Sequence, residues 1–79
     1  MQNLFQPPVK RSITIAGHQT SVTLEPLFWQ GLELAAKHAG VPLNALVARI
    51  DAARLEADTP PNLASALRAW LYHSMQDDR

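Results

Sequence analysis

The segment QTSVTL, residues 19–24, decides the fold of this chain. Polar and apolar side chains alternate along it, and successive side chains of a β-strand point to opposite faces of the sheet. Val22 and Leu24 therefore share one face. The other face carries short groups that donate and accept hydrogen bonds, namely Gln19, Ser21 and Thr23. The segment predicts a strand that buries one face and offers the other to a partner.

A second strand is predicted just before it, at residues 11–15 (RSITI), because this segment also alternates and is rich in β-branched residues. Gly17-His18 lies between the two, and Gly at the first loop position favours a type II′ hairpin turn. That turn would pair Ile15 with Thr20 and Ile13 with Val22, which puts the apolar residues on one face. The polar face then collects Ser12, Thr14, Gln19, Ser21 and Thr23. An isolated hairpin is marginal in water, so helices are expected to pack on the apolar face.

Three helices are predicted after the hairpin. The first starts at Glu25-Pro26 and ends before Gly40, since Pro favours the first helical turn and Gly the left-handed residue past the last. The second runs from about Pro42 to Glu56, and the third follows a Pro60-Pro61 break with Asn62 as its N-cap. Apolar residues recur at helical spacing in all three. The predicted organisation is an N-terminal arm (1–9), a core (10–57) and a C-terminal helix extension (58–79).

Length, cysteine content and charge limit the possible functions. The chain has 79 residues, no cysteine and a formal net charge of zero, so disulfides and thiolate metal sites are excluded. The histidines are too scattered for a ligand set. A core this small usually needs further burial, which favours oligomerisation. No signal peptide or membrane-spanning stretch is visible, and we expect a cytoplasmic protein. Residues 1–24 carry +2 and residues 25–79 carry −2.

No pattern typical of catalysis is present in the sequence. It has no Gly-rich phosphate loop, no nucleophile elbow and no paired carboxylates in a pocket-forming pattern. Trp29 and Trp70 lie on apolar helix stripes, which favours core or interface positions over a ligand cage. The charges of the second helix read as a solvated face. We therefore expect a binding protein that is not an enzyme and has no cofactor and no metal.

The segment from Gln19 to about Ala53 resembles the ribbon-helix-helix fold: an alternating strand, a helix, a turn containing Gly40, and a second helix. The whole chain is similar to a bacterial subgroup of that family with an added N-terminal strand and C-terminal helix. The resemblance implies a mainly α fold with a short β-ribbon, in which an N-terminal hairpin precedes three helices. It also implies an obligate homodimer whose core contains Val22, Leu24, Trp29, Leu32, Leu46, Val47 and Ile50.

The same resemblance implies a sequence-specific DNA-binding protein, expected to be a dimeric transcriptional repressor. Its strand 19–24 would lie in the major groove, with base contacts from Gln19, Ser21 and Thr23. Phosphate contacts would come from Lys10, Arg11, Leu43 and Asn44, the last two through helix N-terminal N–H groups. Two alternatives stay open. One is a homodimeric protein-interaction module that does not bind DNA, and the other is an antitoxin whose C-terminal helix, with Trp70 and Tyr72, binds a toxin.

Two features depart from the family pattern. The predicted base-contacting trio lacks the Arg or Lys that many members place there, which weakens phosphate binding. The chain also supplies two strands where the family supplies one. Four strands from two chains would span ~14 Å between their outer axes, whereas the major groove is about 12 Å wide. DNA binding through a two-chain ribbon would thus require the strand at residues 11–15 to peel away or curl off the groove.

Overall fold

The computed structural model describes residues 4–77, in the element order strand, strand, helix, helix, helix. A two-stranded antiparallel sheet followed by three helices confirms the predicted fold class. Of the predicted arm, residues 1–3 lie outside the described range, and Val9 belongs to the first strand. The elements are β1 (Val9–Ile15), β2 (His18–Leu24), α1 (Pro26–Ala39), α2 (Leu43–Leu55) and α3 (Leu63–Asp77).

The turn between the strands differs from the predicted one. Ile15 pairs with His18, so the loop residues are Ala16 and Gly17 and the predicted Gly17-His18 loop is wrong. Both loop residues have positive φ, 50° at Ala16 and 83° at Gly17, as a type I′ turn requires. The left-handed conformation costs an alanine about 1–2 kcal/mol.

The strand register is shifted by two residues from the prediction, and the longer ladder explains why. Ile13 faces Thr20 rather than Val22. The predicted register would have carried the first two residues of β1 past the end of β2. In the observed register Val9 pairs with Leu24, and all seven residues of β1 have partners. Since side chains alternate with a period of two, this shift leaves every residue on its predicted face.

The core lies between one face of the hairpin and the three helices. Ile13, Val22 and Leu24 project from the sheet into it, and the helices contribute their apolar stripes. Burying such side chains stabilises the fold by about 1.5–3 kcal/mol each. The helical residues of the core are Trp29, Leu32, Ala36, Leu46, Val47, Ile50, Leu67 and Leu71.

The helix ends follow the predicted signals. Gly40 has φ 71° and donates its N–H to the carbonyls of Ala36 and Lys37, which ends α1 in the expected left-handed cap. Asn62 Oδ1 accepts a 2.8 Å hydrogen bond from the Ser65 N–H, so the predicted N-cap of α3 is confirmed. Arg54 Nη1 donates to the Pro61 carbonyl at 3.0 Å, which holds the connection between α2 and α3 against the end of α2.

Gly31 lies where α1 packs against α3. A Cβ at this position would lie 3.3 Å from Leu71 Cδ1. A mid-helix glycine costs about 1 kcal/mol relative to alanine, and here it makes room for the Leu71 side chain. Close packing of two helices therefore accounts for a residue that helix propensity alone disfavours.

Candidate nucleic-acid interface

The hairpin presents a polar outer face, which we define as Lys10, Ser12, Thr14, Gln19, Ser21 and Thr23. All six residues are exposed. They form cross-strand pairs in which Lys10 faces Thr23, Ser12 faces Ser21 and Thr14 faces Gln19. Directly opposed side chains have Cβ atoms about 4.5–5.5 Å apart. The predicted base-contacting residues of β2 thus lie next to a matching polar row on β1, and the two rows make one surface.

Arg11 lies on the inner face of the hairpin, opposite to Lys10. Its guanidinium stacks over the Trp29 ring at 4.7 Å from the centroid, and Nη1 is 3.7 Å from Glu33 Oε2. The two residues predicted to contact phosphate from the N-terminal strand are therefore not brought together. Among the six residues of the outer face, Lys10 carries the charge.

Trp29 fixes β1 to α1. Its Nε1 donates a 2.9 Å hydrogen bond to the carbonyl of Val9, and its side chain is buried with 3% exposure. Together with the stacked Arg11, this contact ties the first half of β1 to the helix beneath it. The strand is paired along its whole length, so it is not a free arm in this structure.

The N-terminus of α2 exposes the other predicted phosphate contacts. The Pro42 carbonyl accepts hydrogen bonds from the N–H groups of Ala45 and Leu46, at 3.0 and 3.2 Å. Leu43 and Asn44 precede these and have no carbonyl one helical turn before them within the helix. Leu43 is half-buried and Asn44 is exposed. Their backbone donors form an ordinary helix N-terminus, which favours an anion.

The residues predicted to form the dimer core are buried within one chain. Each is at most 4% exposed, because the hairpin covers one side of the helices and α3 contributes Leu67 and Leu71 to the same cluster. For these side chains to contact a second chain, the packing within the first would have to open. Their role in a dimer stays a prediction, and the residues are Val22, Leu24, Trp29, Leu32, Leu46, Val47 and Ile50.

The free edge of β2 lies on the side away from β1. The turn closes with an Ile15–His18 hydrogen-bonded pair, and such pairs alternate along an antiparallel ladder. By this alternation the backbone N–H and C=O groups of Gln19, Ser21 and Thr23 point outward from the described two-stranded sheet. A shallow groove along this edge is bordered by Asn62–Ala64 at the start of α3. An additional strand paired with β2 would run along that border.

Glu25 and Arg68 join the start of α1 to α3. Arg68 donates from Nε and Nη2 to Glu25 Oε1 at 3.1 and 3.0 Å, and its guanidinium lies 5.6 Å from the centre of the Phe28 ring. A hydrogen bond from the backbone N–H of Glu25 and the contact with Arg68 hold the pKa of Glu25 below its ordinary value of 4.5. This pair fixes the position of α3 relative to the hairpin.

A second exposed surface is the α1–α3 groove, which we define by Leu27, Gly31, Leu34, Leu71 and Met75. Leu34 is 55% exposed and Met75 is 68% exposed. Tyr72, on the same helix as Met75, is 66% exposed, whereas Trp70 is half-buried against the core. Of the two aromatic residues predicted to contact a toxin, Tyr72 is the accessible one.

No group of three or more His, Asp or Glu side chains within residues 4–77 is placed to hold a metal ion. None of the helices there has the length and apolar character needed to cross a bilayer.

The sequence pattern predicts Ser12 and Thr14 on the polar face but predicts no contact for them. Their alternation with Ile13 was the available signal, and the observed pairing now sets them directly opposite Ser21 and Gln19. The hydrogen bond from Trp29 to Val9 had no signal in the sequence, because it depends on how the strand crosses the helix.

Comparisons with known proteins agree with this architecture. A family model described as a ribbon-helix-helix domain matches residues 8–75, a region that includes both β1 and most of α3. A solved structure of an uncharacterized protein from Bordetella pertussis Tohama I superposes with a TM-score of 0.74 at 29% sequence identity. The alignment covers 99% of this chain and 64% of that protein, so the chain spans less than two thirds of its length. The comparison with curated proteins found no match.

Proposed function

This chain belongs to the ribbon-helix-helix domain family, and from that premise we propose that it is a sequence-specific DNA-binding protein that represses transcription in the cytoplasm of a bacterium. Members of the family are generally non-enzymatic regulators that bind DNA, typically as dimers. The proposal rests on the outer face of the hairpin, where the polar side chains of the two strands are exposed and lie directly opposite one another.

The side chains of β2 suit base recognition in the major groove. Gln19 can bond bidentately to N6 and N7 of adenine, and the hydroxyls of Ser21 and Thr23 can donate to or accept from either type of base. They stand on a face of the strand that the core does not use. Base contact therefore requires no change in the packing beneath.

Phosphate contacts in the proposal come from Lys10 and from the N–H groups of Leu43 and Asn44. Arg11 could join them only by losing its stacking on Trp29 and its ion pair with Glu33, both of which lie on the inner face. With few cations at the interface, the salt dependence should be shallow: log Kobs falls with log salt by about 0.9 per phosphate neutralised. Specificity would then depend mainly on base contacts.

A homodimer is part of the proposal, since two copies on neighbouring half-sites double the DNA interface. In light scattering we expect twice the 8.7 kDa of one chain. If the predicted core residues form the dimer contact, the melting temperature rises with protein concentration, because unfolding is then coupled to dissociation. A mass of one chain at all concentrations would contradict the dimer.

The decisive experiment selects sequences from random DNA at ~100 mM salt, where non-specific phosphate binding is weakened. The wild-type protein should enrich one motif, and the Ser21→Ala/Thr23→Ala variant should lose it while keeping its melting temperature. Thr59→Ala is the matched control, because Thr59 is exposed in the connection between α2 and α3. If the wild type enriches no sequence, DNA reading is the wrong function.

A protein-interaction role, including that of an antitoxin, is the second candidate. The α1–α3 groove favours it, because Leu34 and Met75 in its lining are exposed apolar side chains, and Tyr72 is also exposed on α3. Its test is co-expression with the product of the neighbouring gene, followed by purification of wild type and of the Tyr72→Ser/Met75→Ser variant. Loss of a co-purified partner from the variant, with DNA selection unchanged, supports it.

A further inference from the structure

We infer that the unit entering the major groove is the hairpin of a single chain, and that Ser12 and Thr14 of β1 read bases beside Gln19, Ser21 and Thr23. This inference rests on the proposed DNA-binding function and makes it more specific. It assigns to one chain the two-stranded ribbon that, by the family resemblance, two chains would build together.

β1 is held in place beside β2. All seven of its residues are paired. Trp29 Nε1 holds the Val9 carbonyl at 2.9 Å, and Arg11 is stacked on the same ring. Peeling β1 away would break the ladder, this hydrogen bond and the stacking, and would uncover Ile13, which is 3% exposed. Any surface that approaches β2 from outside therefore meets β1 as well.

The outer face brings the polar side chains of the two strands together. Ser12 faces Ser21 and Thr14 faces Gln19, and both pairs are of the non-hydrogen-bonded kind, in which opposed Cα atoms are only about 4.5 Å apart. The side chains of the two strands therefore stand at the same height above the sheet. A base edge within reach of Ser21 is also within reach of Ser12.

The width of the major groove favours a two-stranded unit. Two strands have axes only ~4.8 Å apart, whereas four strands built from two chains would span ~14 Å before side chains are added. The major groove is about 12 Å wide and admits a two-stranded ribbon. The short Ser and Thr side chains allow close approach along the middle of the hairpin. Lys10, at the end far from the turn, is long enough to reach a phosphate.

For the test, DNA selection is run on wild type, Ser12→Ala/Thr14→Ala and Ser21→Ala/Thr23→Ala. Each double variant should lose about fivefold or more in preference for the selected site, since one wrong base contact typically costs about that or more. The two should relax specificity at different base positions. A defect in folding would instead lower affinity for all sequences and reduce the melting temperature, so both are measured.

The outcomes separate the inference from the function on which it rests. If Ser12→Ala/Thr14→Ala keeps the wild-type motif and affinity while Ser21→Ala/Thr23→Ala loses them, the single-chain hairpin is wrong and DNA reading by β2 stands. If the wild type enriches no sequence, the proposed function fails and the inference fails with it.

A second measurement asks directly whether the hairpin stays closed on DNA. Ile13→Cys/Thr20→Cys places a cysteine pair across the middle of the hairpin on its inner face, away from the proposed DNA contacts, in a chain with no other cysteine. A hydrogen-bonded pair has a Cα separation of about 5.5 Å, which a disulfide accepts. The same variant is compared oxidised and reduced, so the loss of the two side chains cancels. Binding within about twofold in the two states supports the inference, and a tenfold loss on oxidation overturns it.

Discussion

The two faces of the hairpin have the same backbone and opposite roles. The inner face packs on the helices through its central residues, with Val22 and Leu24 at 4% and 0% exposure and Arg11 in contact with Trp29 and Glu33. The outer face is exposed at every position. The difference indicates that stability resides on one face and recognition on the other. Substitutions on the two faces should therefore separate folding from binding.

The largest expected effect is that of Val22→Asp. It would bury an unpaired carboxylate in the core, and changes of this kind cost more than about 4 kcal/mol. Thr23→Asp is the matched control one residue along, where the carboxylate is in water and faces Lys10. We expect loss of the circular dichroism melting transition in the first variant and a change below about 1 kcal/mol in the second. Equal effects in the two variants would mean that the assigned faces are wrong.

Trp29→Phe should have an intermediate effect. It keeps an aromatic ring in the core but removes the donor to the Val9 carbonyl, so we expect a loss of about 1–2 kcal/mol in urea unfolding. Trp70→Phe is the control, because it makes the same chemical change on a half-buried ring. Amide hydrogen exchange should rise at the start of β1 in Trp29→Phe alone. If both variants lose the same stability, the Trp29 hydrogen bond does not fix β1.

Ala16→Asn should stabilise the protein slightly. Asn-Gly is the preferred pair for a type I′ turn, and it tolerates the positive φ that Ala16 adopts here. A gain of up to about 1 kcal/mol in thermal unfolding is expected. Ile15→Asn, one residue earlier, is the control and should destabilise. A neutral or harmful Ala16→Asn would favour the Gly17-His18 turn and with it a different pairing across the outer face.

The smallest effect concerns pH. Because the pKa of Glu25 is lowered on folding, its ionised form stabilises the native state above pH 4.5, and this contribution is lost as pH falls through the native-state value below 4.5. Glu25→Gln should remove that part of the acid dependence and leave the melting temperature flatter between pH 5 and 3, roughly the range over which carboxyl groups titrate. Melting curves of wild type and variant across this range provide the measurement. Parallel curves would mean that the Glu25–Arg68 pair contributes nothing to folding.

The structure differs from the sequence-based prediction mainly in the register of β1 and in the turn that follows it. Alternation correctly predicted which side chains share a face, because a period of two is a local property of an extended chain. The predicted strand register was wrong by two residues, because the prediction placed Gly17 at the first loop position, as a type II′ turn favours. The preference for pairing the whole of β1 outweighs that rule and forces Ala16 into a left-handed conformation.

The sequence likewise predicted only part of the candidate site. Gln19, Ser21 and Thr23 were found from one strand alone. Base contact by their neighbours Ser12 and Thr14 can be inferred only from the cross-strand register, which brings together residues on different strands. Arg11 was predicted beside Lys10 because both are basic and adjacent. The pleat of the strand instead puts Arg11 on the inner face, where the Trp29 ring stabilises it.

The sequence by itself determined the order of the elements, the ends of the helices and the polar and apolar faces of the hairpin. These follow from short-range rules: side-chain alternation, helix periodicity, a glycine past α1 and an asparagine before α3. The tertiary structure alone decided that β1 is held by Trp29, that α3 packs against Gly31, and that one chain buries the residues expected between two chains. Such contacts depend on how whole elements pack, and no local pattern specifies them.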